Sequence, residues 1–165
     1  MSMTPPDYVQ FPAGWYAKKG RLDELKEVCR LDPQAISERD NFDGTPLIRG
    51  AEGNHTHVVE YLIALGADVN ARTIYNITAL HHASLNGNLE CIRLLVSKGA
   101  DVNIKNSKGK TPADWANEAV ASQILDILKH PKRSEQINQR DTAGNLSREH
   151  KLSFWRKFRE GLRGH

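Results

Sequence analysis

Cysteine is scarce. Cys29 and Cys91 are the two thiols in 165 residues, far apart in the chain and with no partner spacing. That excludes a disulfide framework and a cysteine-based metal knuckle, and leaves two small apolar side chains of a reducing compartment. Long apolar runs are missing too, since no stretch approaches the roughly 18 residues of a membrane span. Met1–Tyr16 contains no Lys or Arg and no apolar core of signal-peptide length. Neither a secretory signal nor an Arg-rich presequence is therefore expected, and cytoplasmic residence is, with nuclear and organellar addresses left open. Catalytic signatures are also absent: no phosphate-cradling glycine loop, no Gly-x-Ser-x-Gly elbow, no His-Glu-x-x-His. No enzymatic activity, cofactor, metal or small-molecule substrate is expected. The seven histidines do not change this. His81 and His82 are helix neighbours about 100° apart and do not both face one ion, and His55 and His57 fit structural or solvent roles.

What the chain does have is a period. Thr45-Pro46-Leu47, Thr78-Ala79-Leu80 and Thr111-Pro112-Ala113 recur at one fixed interval. Gly66-Ala67-Asp68-Val69-Asn70 returns as Gly99-Ala100-Asp101-Val102-Asn103 after the same interval. Two independent markers with one spacing, about 33 residues, indicate stacked repeats. Each marker has a physical job. Thr45 and Thr111 read as helix N-caps with Pro46 and Pro112 at the first helical position, and Thr78 caps alike before Ala79. Asn54 and Gly87 fall between two short helices, where the backbone turns through positive φ. Val58, Val59, Leu62 and Ile63, like Cys91, Ile92, Leu95 and Val96, form an apolar stripe along the second helix of a unit.

These motifs resemble the ankyrin-repeat family, in which threonine–proline–leucine opens a unit and glycine–alanine–aspartate–valine–asparagine closes it. The resemblance implies an all-α solenoid of stacked helix–turn–helix units with hairpin-like tips. After a leader of residues 1–12, the units read as 13–39, 40–72, 73–105 and 106–132. Paired helices are predicted over 46–53/56–64, 79–86/89–97 and 112–118/121–129. The family's motif histidine survives only as His81, being Ile48 in the second unit and Asp114 in the fourth. The resemblance gives that histidine a loop-bonding role, so weaker loop-to-loop bonding is expected around units two and four. It also aligns Asn70 and Asn103 with the asparagine that asparaginyl hydroxylases modify, which makes them candidate hydroxylation positions. An asparagine there also serves to stabilise the turn between units.

Function then rests on surface that the repeat leaves unfixed. Phe42, Arg49, Ile74, Tyr75, Ile77, His82 and Leu85 fall at tip or inner-helix positions of units two and three. Apolar residues at such tips either pack on neighbouring tips or mark a partner interface. The favoured reading is a non-catalytic protein–protein interaction module, an adaptor or an accessory subunit of a large multi-subunit complex. A second reading comes from the C-terminus. Residues 133–150 read as a polar linker, and residues 148–165 hold six Lys/Arg against Glu149 and Glu160. Over 151–165, Phe154, Trp155, Phe158 and Leu162 share one side of a helix, with Arg156 and Lys157 on the other. This short basic amphipathic helix fits a cap on the stack, a groove in a partner protein, or contact with RNA or anionic lipid.

Overall fold

The computed structural model describes residues 11–116 and 121–130. The chain divides into two units, Met1–Pro131 and Lys132–His165. The second, with the linker and basic helix expected there, lies outside the described residues.

Among the described residues there are seven α-helices and no strand: α1 (Pro12–Lys18), α2 (Leu22–Leu31), α3 (Pro46–Glu52), α4 (Thr56–Ala64), α5 (Ala79–Asn86), α6 (Leu89–Ser97) and α7 (Ala121–Lys129). Short 3-10 turns lie at Pro33–Ser37 and Ala113–Trp115. Helix starts follow the threonines. Thr45 Oγ1 accepts the Ile48 N–H, and Thr78 Oγ1 the His81 N–H, each at 3.4 Å. Asn88 caps α6 by accepting the Cys91 N–H at 2.9 Å. The reversals inside units two and three use left-handed residues, Asn54 at φ 64° and Gly87 at φ 68°.

α1/α2, α3/α4 and α5/α6 are the helix pairs; α1, α3 and α5 pack side by side as an inner row, and α6 packs on both α4 and α7 in the outer row. The apolar stripes meet between the rows. Leu25, Leu47, Leu62, Leu80, Leu95 and Ile124 are all fully buried, and each such side chain contributes about 1.5–3 kcal/mol by leaving water. Gly53 lets the first two units approach closely, because a Cβ there would collide with the Lys18 carbonyl oxygen.

The fourth unit departs from expectation. Instead of an α-helix over 112–118, Ala113–Trp115 form a single 3-10 turn, and Ala116 leaves the helical region at ψ 134°. The cap itself is intact: the Asp114 carboxylate accepts both the Thr111 N–H and the Thr111 hydroxyl at 2.8 Å, as His81 accepts the Thr78 N–H. Residues 117–120 lie outside the described set.

The motif histidine bonds one loop to the next at unit three, while unit two is tied to unit three by other residues. His81 Nδ1 accepts the Thr78 N–H at 3.3 Å, so its Nε2 carries the proton and donates to the Lys110 carbonyl at 3.1 Å. Ile48, buried in the equivalent place, has no polar atom to offer. Units two and three are joined by other means. Asn70 Nδ2 donates to the Gly99 carbonyl at 3.1 Å while its Oδ1 accepts the Asp101 N–H at 2.7 Å. Asn86 Nδ2 donates to the Ala51 carbonyl at 3.0 Å.

Candidate functional site

The tips are built by a device the sequence reading missed. Asp40, Thr73 and Asn106 recur at the same interval as the capping threonines. Asp40 Oδ1 accepts the N–H groups of Phe42 and Gly44, each at 2.9 Å. Thr73 Oγ1 accepts those of Tyr75 and Ile77 at 3.3 and 3.1 Å, and Asn106 Oδ1 those of Lys108 and Lys110 at 2.9 and 3.1 Å. A backbone bond closes each loop: Asp40 N–H to Gly44 O, Thr73 N–H to Ile77 O, Asn106 N–H to Lys110 O. Asp43, Asn76 and Gly109 sit at positive φ within them. Three polar residues at one period were the available signal. Such loops hold their outermost side chains in fixed positions.

Those side chains include the apolar candidates. Phe42 and Tyr75 stack with ring centroids 6.5 Å apart and an interplanar angle of 29°. The stacking leaves much of them in solvent: Phe42 is 51% exposed, Ile74 53% and Tyr75 49%. Neighbouring tips are also joined along the backbone, Ile74 N–H to Phe42 O at 3.0 Å and Ser107 N–H to Tyr75 O at 2.9 Å. Ile77 is half-buried. Leu85, on α5, is 50% exposed.

Arg49 is held within the stack. Its guanidinium pairs with Asp40 at 2.5 Å and Glu52 at 2.7 Å, and Glu52 also pairs with Lys18 at 2.7 Å. Burial works against both charges here. Hydrogen bonds outweigh it, holding the Glu52 carboxyl below and the Arg49 guanidinium above their ordinary values. His82 is half-buried beside this network, its ring edge-on to Trp115 at 6.2 Å. Burial lowers the His82 pKa to about 4; Glu52 opposes the shift, while Arg49, His81 and Lys18 add to it. Two candidates far apart in sequence, Arg49 and His82, are thus brought into one electrostatic cluster on the inner helices.

The remaining titratable groups have structural surroundings. His55 rests over Gly20, where a Cβ would meet its ring, and His57 Nε2 lies 3.3 Å from the Gly20 carbonyl. No group of three or more metal-binding side chains occurs among the described residues. Both thiols are buried; burial raises the Cys29 pKa, with Glu38 and Asp32 adding, and burial with Glu90 raises Cys91 to about 12. Neither resembles an activated thiolate. Asn70 is engaged by both its side-chain atoms, whereas Asn103 is exposed with no side-chain hydrogen bond among the described residues. No described helix is long and apolar enough to cross a membrane.

Residues 47–96 match the family model for ankyrin repeats in many copies. The mouse (Mus musculus) B-cell lymphoma 3 protein homolog is 39% identical over 85 residues, covering 52% of this chain and 18% of that protein. Ankyrin repeat and SAM domain-containing protein 6 of Mus musculus is 31% identical over 105 residues, covering 62% of this chain and 12% of the relative. The transient receptor potential cation channel subfamily A member 1 homolog of Caenorhabditis elegans is 35% identical over 113 residues, covering 67% and 9%. The chain spans less than a fifth of the length of these relatives.

Proposed function

We propose that this chain, which belongs to the ankyrin-repeat family, is a non-catalytic adaptor or accessory subunit that binds a protein partner through its tips and inner helices. Ankyrin repeats are in general protein–protein interaction modules, and the family is typically non-catalytic. The relatives' names describe proteins of very different kinds, so the repeat supplies a way of binding and not a target. The observation that carries the reading is the half-exposed group of Phe42, Ile74 and Tyr75 on two adjoining, internally bonded tips. Aromatic side chains held rigid and half in water supply contact area at small entropic cost.

The test is co-purification of the tagged full-length chain from native extract beside a variant carrying Ile74→Ser and Tyr75→Ser. Both residues are exposed, so the variant should fold with a melting temperature close to the parent's. The expected result is a protein partner lost from the variant and retained through a salt step to high ionic strength. A partner insensitive to the variant but stripped by salt would transfer the function to the basic residues of 148–165, and so to RNA or anionic lipid.

A further inference from the structure

The tips carry charge as well as apolar surface. Residues 39–44, 72–77 and 105–110 hold five cations, Arg39, Arg72, Lys105, Lys108 and Lys110, against Asp40 and Asp43. Asp40 is already paired with Arg49. Arg39, Arg72 and Lys105 follow the period of the repeat, one at the base of each tip, and all are exposed. None of the five makes an ion pair among the described residues. Among the described residues Arg39 donates only to backbone carbonyls, those of Asp43 at 3.3 Å and Arg72 at 3.4 Å. Lys105 and Lys110 lie near enough to Asp114 to help lower its pKa, after the larger effect of the Thr111 hydrogen bonds. The result is a column of cations repeated once per unit beside an apolar ridge.

Neighbouring tips bring these cations together. The Arg39 guanidinium reaches the Arg72 carbonyl at 3.4 Å, so the charge of one tip lies against the next. An acidic edge of a bound segment would face Arg39, Arg72 and Lys105, and an apolar edge would lie on Phe42, Ile74 and Tyr75.

From this we infer that the partner presents an acidic segment, its Asp and Glu residues interspersed with aromatic or aliphatic ones. The inference rests on the protein-binding reading above and specifies its ligand chemistry. Charge complementarity sets the register and the on-rate, and the stacked aromatics supply the contact.

The experiment is peptide phage display with a random dodecapeptide library, panned on the intact chain, on Arg72→Glu/Lys105→Glu, and on Tyr75→Ser. The exposed positions of all three residues predict unchanged thermal melts. Peptides recovered on the parent should be enriched in Asp and Glu together with aromatic or aliphatic residues. A synthetic representative should bind the charge-reversed variant about tenfold or more weakly in fluorescence anisotropy. Panning on that variant should return peptides enriched in Lys or Arg instead. Recovered peptides that are apolar without acidic enrichment, and lost on Tyr75→Ser, would overturn the charge inference and keep the binding surface. Equal binding of the acidic peptide and of a single-stranded DNA of the same charge would also overturn it, because the column would then be reading phosphate. No enrichment on any of the three proteins would sink both the inference and the protein-binding reading.

Discussion

Replacing Leu95 by Ala should unfold the stack at a markedly lower temperature. Leu95 lies on α6 with no exposed surface, in a core shared by the inner and outer rows. The substitution removes three carbons' worth of apolar contact, about 2.4 kcal/mol by transfer at about 0.8 per methylene. A residual cavity raises the loss toward the upper part of the observed range of about 2–5 kcal/mol. For a domain of this size each kcal/mol lowers Tm by about 3–4 °C, so the expected drop is about 6–20 °C. Leu31 is the internal control, because it is 70% exposed and its replacement removes little buried contact. Leu31→Ala should stay within about 0.5 kcal/mol of the parent. Differential scanning calorimetry gives both numbers, and hydrogen exchange shows how far the damage spreads. In a stack of nearest-neighbour contacts, amides of α4 and α7 should lose protection together with those of α6. If Leu95→Ala melts no lower than Leu31→Ala, the stripe does not form the core and the packing argument fails.

Other expectations follow from single sites. Gly53→Ala should lower Tm more than an ordinary glycine replacement at a helix end, because the new Cβ meets the Lys18 backbone, which cannot swing aside as the His55 ring beside it can; a melt equal to the parent's would show that the units can part at no cost. Folded His82 titrates at about 4 against an ordinary 6.5, so the unfolded chain takes up the proton first. Stability should therefore be full above about pH 6.5 and fall as pH drops toward 4, by on the order of 1–3 kcal/mol. Urea denaturation of His82→Gln should show a flatter profile between those limits, and an unchanged slope would place the titration elsewhere. For the asparagine positions, intact-mass analysis of natively expressed protein should find a species heavier by one oxygen on the Asn103 peptide before the Asn70 peptide, since Asn70 would have to break two bonds first; no such species on either peptide removes the idea. Finally, the tail should act through its apolar face: Trp155→Ala/Phe158→Ala should lose the partner and Arg156→Gln/Lys157→Gln/Arg163→Gln keep it, with the reverse result pointing to nucleic acid or lipid.

The fold was legible wherever the sequence repeated itself. Thr45, Thr78 and the left-handed Asn54 and Gly87 mark boundaries by local chemistry, and the α3 to α6 helices begin and end within a residue of where those signals put them. The fourth unit was less legible: Thr111 and Asp114 close the same cap as Thr78 and His81, yet Asp114 stays in solvent where His81 is buried and bonded to the next loop. The candidate surface was legible by residue type and not by environment. Phe42, Ile74, Tyr75 and Leu85 are exposed, whereas Arg49 is engaged by Asp40 from its own tip and by Glu52, which in turn holds Lys18 of the preceding unit. Pairing between units depends on how the units stack, and no local pattern in the sequence records it. The column of Arg39, Arg72 and Lys105 was visible in the same spacing as the threonines. Its meaning needed the additional fact that none of the three is paired within the described stack.

The most direct test of the binding claim is site-specific photo-crosslinking in living cells with a photoreactive phenylalanine analogue, placed at Tyr75 in one protein and at Glu60 in another. Both positions are exposed, Tyr75 on a tip and Glu60 on the outer helix α4. A protein adduct formed from position 75 and absent from position 60 is the predicted result. Adducts of equal yield from both positions, or an adduct from position 60 alone, would contradict the account.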